Sequence, residues 1–126
     1  MRAVLAAALA TGLVVAGAVT AAPPAALASP GDQTIMTLTV GGNRLGFASL
    51  TVNADGRSRR LEVCDQLATD GGEVAGQLMT PSGQIITYPD ANGGGCYLRD
   101  IYYAVNWIRA VRDQYHTVWE GAPPLN

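Results

Sequence analysis

The sequence predicts an all-β domain, a small antiparallel β-sandwich or barrel cross-linked by one disulfide. Short stretches of alternating apolar and polar residues predict strands, and turn signals separate them about every 8–12 residues. The chain has 126 residues, of which 48% are apolar and 14% are charged. That size and composition fit a single globular domain that follows an N-terminal processing signal.

The charge composition argues against several classes of protein. The eight basic residues are all arginine, the acidic residues number ten, and the net charge is −2. This balance argues against a polybasic nucleic-acid binder, and the apolar content argues against a disordered acidic chain. Abundant Ala, Gly, Val and Arg without Lys is typical of a GC-rich genome, which favours a secreting high-GC bacterium as the source.

The N-terminus predicts a secretory signal peptide over residues 1–28, leaving a single β domain over 29–126. Residues 3–22 are uncharged and rich in small apolar side chains, and a small-x-small motif ends at Ala28, where we expect cleavage. The uncharged segment is long enough to span a bilayer. Its mild hydrophobicity, the Pro23-Pro24 pair that follows and the lack of a basic cluster favour a cleaved signal and a secreted protein.

The first half of the mature chain predicts three strands. Residues 34–40, 47–53 and 60–65 alternate apolar and polar side chains, and turn signals at 41–43 and 53–56 separate them. The expected inward positions are Met36, Leu38, Val40, Ala48, Leu50, Val52, Leu61 and Val63.

The next segments predict a hairpin and a long loop. A strand over 73–80 is followed by the Pro81-Ser82-Gly83 turn signal and by a returning strand over 84–88, with Ile86 and Tyr88 on one face. Residues 89–95 are rich in Gly, Asn and Asp, which predicts a loop.

The C-terminal third allows two interpretations. Ile101, Val105, Ile108 and Val111 follow a helical period, so an α+β fold with a helix around 98–113 is the alternative to the all-β fold. Val105, Trp107 and Val111 also fit one face of a strand. The content of Ile, Tyr, Trp and Val favours a strand, whereas the unbroken run over 97–114 favours a helix. A last short strand is expected over 116–120.

The two cysteines predict a disulfide. Export to an oxidising compartment makes a Cys64–Cys96 bond the expected state, with two buried free thiols as the alternative. Cys64 is expected on the face of its strand opposite Val63, or at a bulge. The bond would close a loop worth roughly 3–4 kcal/mol in the chain-entropy model. A metal site from two distant cysteines and one histidine is not expected.

The order of short motifs resembles a group of small secreted actinobacterial proteins. Leu61-Glu62-Val63-Cys64-Asp65, Asn92-Gly93-Gly94-Gly95-Cys96, Ile108-Arg109-Ala110-Val111 and a late Trp119 carry the resemblance, over roughly the last half of the chain. The resemblance implies a β-sandwich-like fold and favours a strand in the C-terminal segment; the group is mostly uncharacterised. This chain lacks the group's second cysteine pair, and Val111 stands where its first member would be.

Residues 51–62 imitate part of a calcium-binding loop. Asn53, Asp55 and Glu62 have suitable spacing, but Thr51 occupies the first ligand position. Three arginines lie inside this stretch and would repel a cation. We therefore expect a hairpin turn with a solvated basic edge. An anion-binding patch made of Arg57, Arg59 and Arg60 is the alternative.

No catalytic constellation is predicted. His116 is the single histidine, and no serine lies in a nucleophile-elbow motif. Carboxylates such as Asp65 and Asp70 lie in predicted loops, where turn and capping roles are common. We expect a non-enzymatic protein that uses no cofactor and no metal.

Aromatic residues near the C-terminus form the candidate binding surface. Tyr102, Tyr103, Trp107 and Trp119 could line a groove for a glycan or peptide, and the alternative is that they belong to the core. The prediction for function is a secreted binding module for an extracellular protein or glycan, without nucleic acid or stable membrane anchoring. A small secreted protease inhibitor, presenting residues 78–81 or 90–95 to its target, is the alternative.

Overall fold

The computed structural model describes residues 29–66, 72–90 and 95–125, and these residues form strands and connections without a helix. The expected signal peptide over 1–28 lies outside them. In the part of the chain that is described, no helix could cross a membrane.

The described residues form nine strands, and the expected all-β class is confirmed. They are β1 (Gln33–Val40), β2 (Asn43–Val52), β3 (Arg59–Asp65), β4 (Ala75–Met79), β5 (Ile85–Pro89), β6 (Cys96–Ile101), β7 (Trp107–Arg112), β8 (Tyr115–His116) and β9 (Glu120–Gly121). The first sheet has the order β1-β2-β3-β6. The second has the order β5-β4-β7-β8, with β9 also paired to β7. Every pairing is antiparallel.

The core lies between the two sheets. Leu50, Leu61, Leu78 and Ile108 are completely buried there, and each contributes about 1.5–3 kcal/mol by leaving water. The expected inward positions of the first three strands are confirmed, although Val40 is only half-buried at the strand end. The buried cluster is Met36, Leu38, Leu45, Ala48, Leu50, Leu61, Val63, Val74, Leu78, Ile101, Val105, Ile108 and Ala110.

The first hairpin turns on two glycines. Gly41 and Gly42 have φ values of 59° and 82°, which a side chain would disfavour, and Val40 pairs directly with Asn43 across them. The second strand begins at Asn43, so its expected start at residue 47 was wrong. The register with β1 skips Leu45, and this bulge interrupts the alternation that marks the strand in the sequence.

The helix alternative for 98–113 is wrong. β6 ends at Ile101, residues 102–106 cross to the second sheet, and β7 follows. Along β7, Ile108 and Ala110 are buried in the core, whereas Trp107 is exposed. An interior position between β4 and the two short C-terminal strands gives β7 hydrogen-bonding partners on both edges, which favours the strand over a helix.

The C-terminal tail packs against the sandwich. The expected strand over 116–120 is replaced by the two-residue strands β8 and β9. The amide of Ala122 donates to the carbonyl of Asn106 at 3.0 Å, and the hydroxyl of Thr34 donates to the carbonyl of Gly121 at 2.8 Å. These bonds connect the tail to β1 of the first sheet and to the connection that precedes β7.

The expected disulfide is confirmed. Cys64 and Cys96 are directly opposite each other in β3 and β6, with their Cα atoms 4.4 Å apart, and they are bonded. The free-thiol alternative is therefore wrong. Cys64 lies within the regular β3 register, adjacent to the inward-facing Val63, so it occupies the opposite face and not a bulge.

Candidate functional site

The candidate aromatic residues separate into three places. Trp107 and Trp119 come together with Met79 around an apolar notch of about 150 Å³ on the outer face of the second sheet. Tyr103 packs against the core at another position. Tyr102 lies in the connection between β6 and β7 and is 77% exposed, and it does not line the notch.

An apolar row crosses three strands at the notch. Met79 on β4 is opposite Ile85 on β5 and opposite Trp107 on β7. These residues face outward because their neighbours Leu78 and Ile108 face the core. Trp107 is 45% exposed and Ile85 is 47% exposed, so the row presents apolar surface to solvent.

A polar row runs beside the apolar row. Gln77 on β4 is opposite Thr87 on β5 and opposite Arg109 on β7. Arg109 Nε donates to Gln77 Oε1 at 2.8 Å, and Gln77 Nε2 donates to Thr87 Oγ1 at 3.1 Å. The three side chains therefore hold one another in position.

The guanidinium of Arg109 also lies over the ring of Trp119, 4.4 Å from its centroid. A cation–π contact at such a site is worth about 0.5–2 kcal/mol. Arg109 therefore links the polar row to the notch. We call Met79, Ile85, Trp107 and Trp119, with Thr87, Gln77 and Arg109, the tryptophan face.

The second aromatic group lies where β5 and β6 form neighbouring edges of the two sheets. The hydroxyls of Tyr88 and Tyr103 are hydrogen-bonded at 2.5 Å, and Tyr88 stacks on Tyr97 with ring centroids 6.1 Å apart. Arg99 lies 5.4 Å over the Tyr88 ring. Burial, and then the bond to Tyr88, raises the pKa of Tyr103. For Tyr103 the core interpretation holds, because it packs against the hydrophobic cluster.

The three arginines at 57–60 do not form one patch. Arg57 is exposed, and Arg60 pairs with Asp100 at 3.3 Å. Arg59 is only 6% exposed, and its Nε donates to the carbonyl of Pro123 at 2.8 Å. The expectation of a solvated edge is therefore wrong for Arg59, because strand alternation turns it toward the side of Leu61 and Val63.

The calcium-like stretch forms the hairpin turn between β2 and β3. Asp55 Oδ1 accepts hydrogen bonds from the amides of Arg57 and Ser58 at 2.9 and 3.1 Å. The bond from the Arg57 amide is the main cause of the lowered pKa of Asp55. Its carboxylate is used by its own turn, in the manner of an Asx turn.

The other candidate residues that the structure describes make local contacts and do not form a catalytic or metal site with one another. His116 is exposed on β8, and its Nδ1 lies 2.9 Å from the carbonyl oxygen of Thr117. Glu62 lies close to Cys64 and Cys96, but the disulfide uses both thiols, so these three residues do not make a set of free metal ligands. Asp65 accepts a bond from the Val74 amide, which connects β3 to the start of β4.

The two segments considered for protease inhibition differ in what the structure describes. Leu78 is fully buried and Met79 pairs within the second sheet, so residues 78–81 do not form a presented loop. Residues 91–94 of the second segment lie outside the described residues.

Sequence reasoning missed Gln77, Met79 and Arg109 as members of the site. Each residue is unremarkable by type, and its position becomes informative only through the pairing of β4 with β7. Alternation around the buried Leu78 and Ile108 was the available signal, but pairing between strands distant in sequence is not visible in a local pattern.

These features define a class of protein: an antiparallel β-sandwich, cross-linked once, with a preorganised aromatic surface on one outer face. No family model, no curated protein and no solved structure matched the chain.

Proposed function

We propose that the mature chain is a secreted, non-enzymatic binding module that acts through the tryptophan face. The observation that carries this proposal is the notch of Met79, Trp107 and Trp119 on the outside of the second sheet. Apolar surface rimmed by polar side chains is typical of an interaction site. Both tryptophans of the chain lie there, and tryptophan is enriched among residues that dominate binding energy.

The position of these side chains on paired strands supports a binding role. β4 and β7 are interior strands of their sheet, so their backbones are held on both edges. The polar row is hydrogen-bonded internally, which reduces the entropy that a ligand would have to remove on binding. The side chains of the notch offer contact area and no acid or base, which supports binding without chemistry.

Export is the second part of the proposal. The disulfide is compatible with an extracellular location, since such bonds persist in oxidising compartments. The uncharged N-terminal segment and its small-x-small motif supply the expected export signal.

The binding role is tested by measuring how much of the purified mature chain is retained on insoluble cell-surface material. This material is collected from a secreting actinobacterial culture. We expect Trp107→Ala to reduce retention at least about tenfold, which corresponds to 1.4 kcal/mol of binding free energy. Tyr102→Ala is the matched control, because it removes an exposed aromatic side chain that does not line the notch. Equal retention of the wild type and Trp107→Ala would contradict the proposal.

A further inference from the structure

We propose that the tryptophan face is a glycan site that accepts one pyranose ring of a β-linked glucose-type chain in its notch. This inference rests on the proposed binding function and names the ligand class for the same surface. It follows from the apolar lining of the notch, the polar row beside it and the strands that carry both.

The apolar lining of the notch suits the face of a single sugar ring. The notch has a volume of about 150 Å³, and its lining consists of Met79, Trp107 and Trp119. A pyranose with equatorial hydroxyls is a six-membered ring, and it presents C–H groups above and below the ring. Those C–H groups suit an indole face and a thioether.

The polar row supplies the second half of a sugar site. A pyranose carries its hydroxyls around the ring edge, so a ring seated against the apolar row would direct hydroxyls toward its polar neighbour. Thr87, Gln77 and Arg109 offer hydroxyl, amide and guanidinium groups there. Among the described residues, Arg109 uses Nε in the bond to Gln77, so its terminal amino groups suit further acceptors.

The strands that carry the face argue against an extended peptide as the ligand. Added peptide strands are recognised mainly through main-chain hydrogen bonds at an exposed sheet edge. β4 pairs with β5 and β7, and β7 pairs with β4, β8 and β9. The main-chain groups of β4 and β7 are used within the sheet, so the notch that these two strands carry offers side chains only; β5, which carries Ile85 and Thr87, is the edge strand of that sheet. A ligand with an apolar ring face and a polar ring edge can be recognised by side chains of this kind.

The chain carries its own reporter for this test. Its two tryptophans both line the notch, so the intrinsic tryptophan fluorescence comes from the proposed site alone. Titrating the disulfide-bonded mature chain with a linear β-1,4-linked glucose hexasaccharide should give a saturable change in emission. A proline-rich peptide and a peptide ending in phenylalanine, at the same concentrations, should give none.

Variants assign the binding to particular side chains, with affinities measured by titration calorimetry. We expect Trp107→Ala to weaken hexasaccharide binding at least about tenfold, and Trp107→Phe to recover part of it because an aromatic face remains. Gln77→Ala should weaken binding severalfold through loss of the polar row. Tyr102→Ala should bind as the wild type does. Thermal unfolding of every variant confirms that weakened binding does not reflect an unfolded protein.

The outcomes distinguish a wrong ligand class from a wrong proposed function. If the hexasaccharide does not bind while retention on surface material still depends on Trp107, the glycan inference is overturned and the binding module stands. Saturable binding of either peptide, without the sugar, also overturns the glycan ligand. If neither titration nor retention depends on Trp107, both proposals fall.

Discussion

Arg59 shows how one residue can differ from the neighbours it resembles in sequence. It shares a basic segment with Arg57 and Arg60, yet it alone is buried, and burial lowers its pKa. Its long side chain reaches the carbonyl of Pro123, which lies 64 positions away. The apolar stem can be buried while the guanidinium finds a partner, so an arginine can occupy an inward strand position.

Replacing Arg59 with alanine should destabilise the protein by about 1.5–3 kcal/mol, because a hydrogen bond from a charged donor is lost and the Pro123 carbonyl loses that donor. Urea unfolding followed by tryptophan fluorescence measures the change. Arg57→Ala, an exposed change in the same segment, should stay within about 0.5 kcal/mol of the wild type. Equal effects of the two substitutions would count against the structural role of Arg59.

At the level of residues, strand alternation contained more information than the charge pattern. Counting back by two from Val63 and Leu61 places Arg59 on the inward face, and the structure agrees. The run of three arginines suggested a solvated edge instead, because charged residues are usually exposed. The hydrogen-bond partner of Arg59 could not be predicted, since the tail that contains Pro123 has no periodic pattern.

The close packing of β2 against β3 requires a glycine at position 46. Gly46 is buried in β2, opposite Asp65 in β3. A Cβ at this position would overlap the carbonyl oxygen of Cys64 and would lie 2.8 Å from Cγ2 of Val74. Close approach of the two backbones therefore requires glycine here, and the requirement comes from space and not from a positive φ.

Gly46→Ala should lower the free energy of unfolding by about 1–3 kcal/mol, because backbone atoms must move to admit the methyl group. Gly121→Ala provides the comparison, since a Cβ there meets nothing within 4 Å. Chemical denaturation of the two variants checks this, and a Gly46→Ala protein as stable as Gly121→Ala would refute the packing argument.

Strands with regular alternation were predicted well at the level of elements. The first and third strands and the 81–83 turn lie where they were expected, the second strand begins four residues early at Asn43, and Gly83 has a φ of 89° in that turn. The C-terminal segment was ambiguous because Ile101, Val105 and Ile108 satisfy a helical period by coincidence. Val105 lies in the crossing between sheets, where burial follows no local period.

At the scale of the whole molecule, one covalent bond joins two strands of the first sheet. The disulfide spans 32 positions, and residues between its ends form the β4–β5 hairpin of the other sheet. The cysteine pairing and the sandwich class were accessible from the sequence. The site was accessible only in part, because the pairing that brings Gln77 and Met79 beside Arg109 and Trp107 is a property of the complete fold.

Removing the disulfide should cost about 3–4 kcal/mol of stability, as expected for a loop of this length in the chain-entropy model. The double variant Cys64→Ser, Cys96→Ser tests this by urea unfolding. Reducing the wild-type protein should produce the same loss by a different route. If the urea midpoint of unfolding is unchanged in both experiments, the disulfide does not constrain the unfolded chain.

The loop closed by the disulfide also determines the effect of a single proteolytic cut in the chain. Any peptide bond broken between Cys64 and Cys96 leaves two polypeptides joined by sulfur, so no fragment is released. The hairpin within that loop carries Gln77 and Met79, and its partner strand β7 belongs to the C-terminal piece. A nicked molecule can therefore keep both halves of its tryptophan face together until the disulfide is reduced.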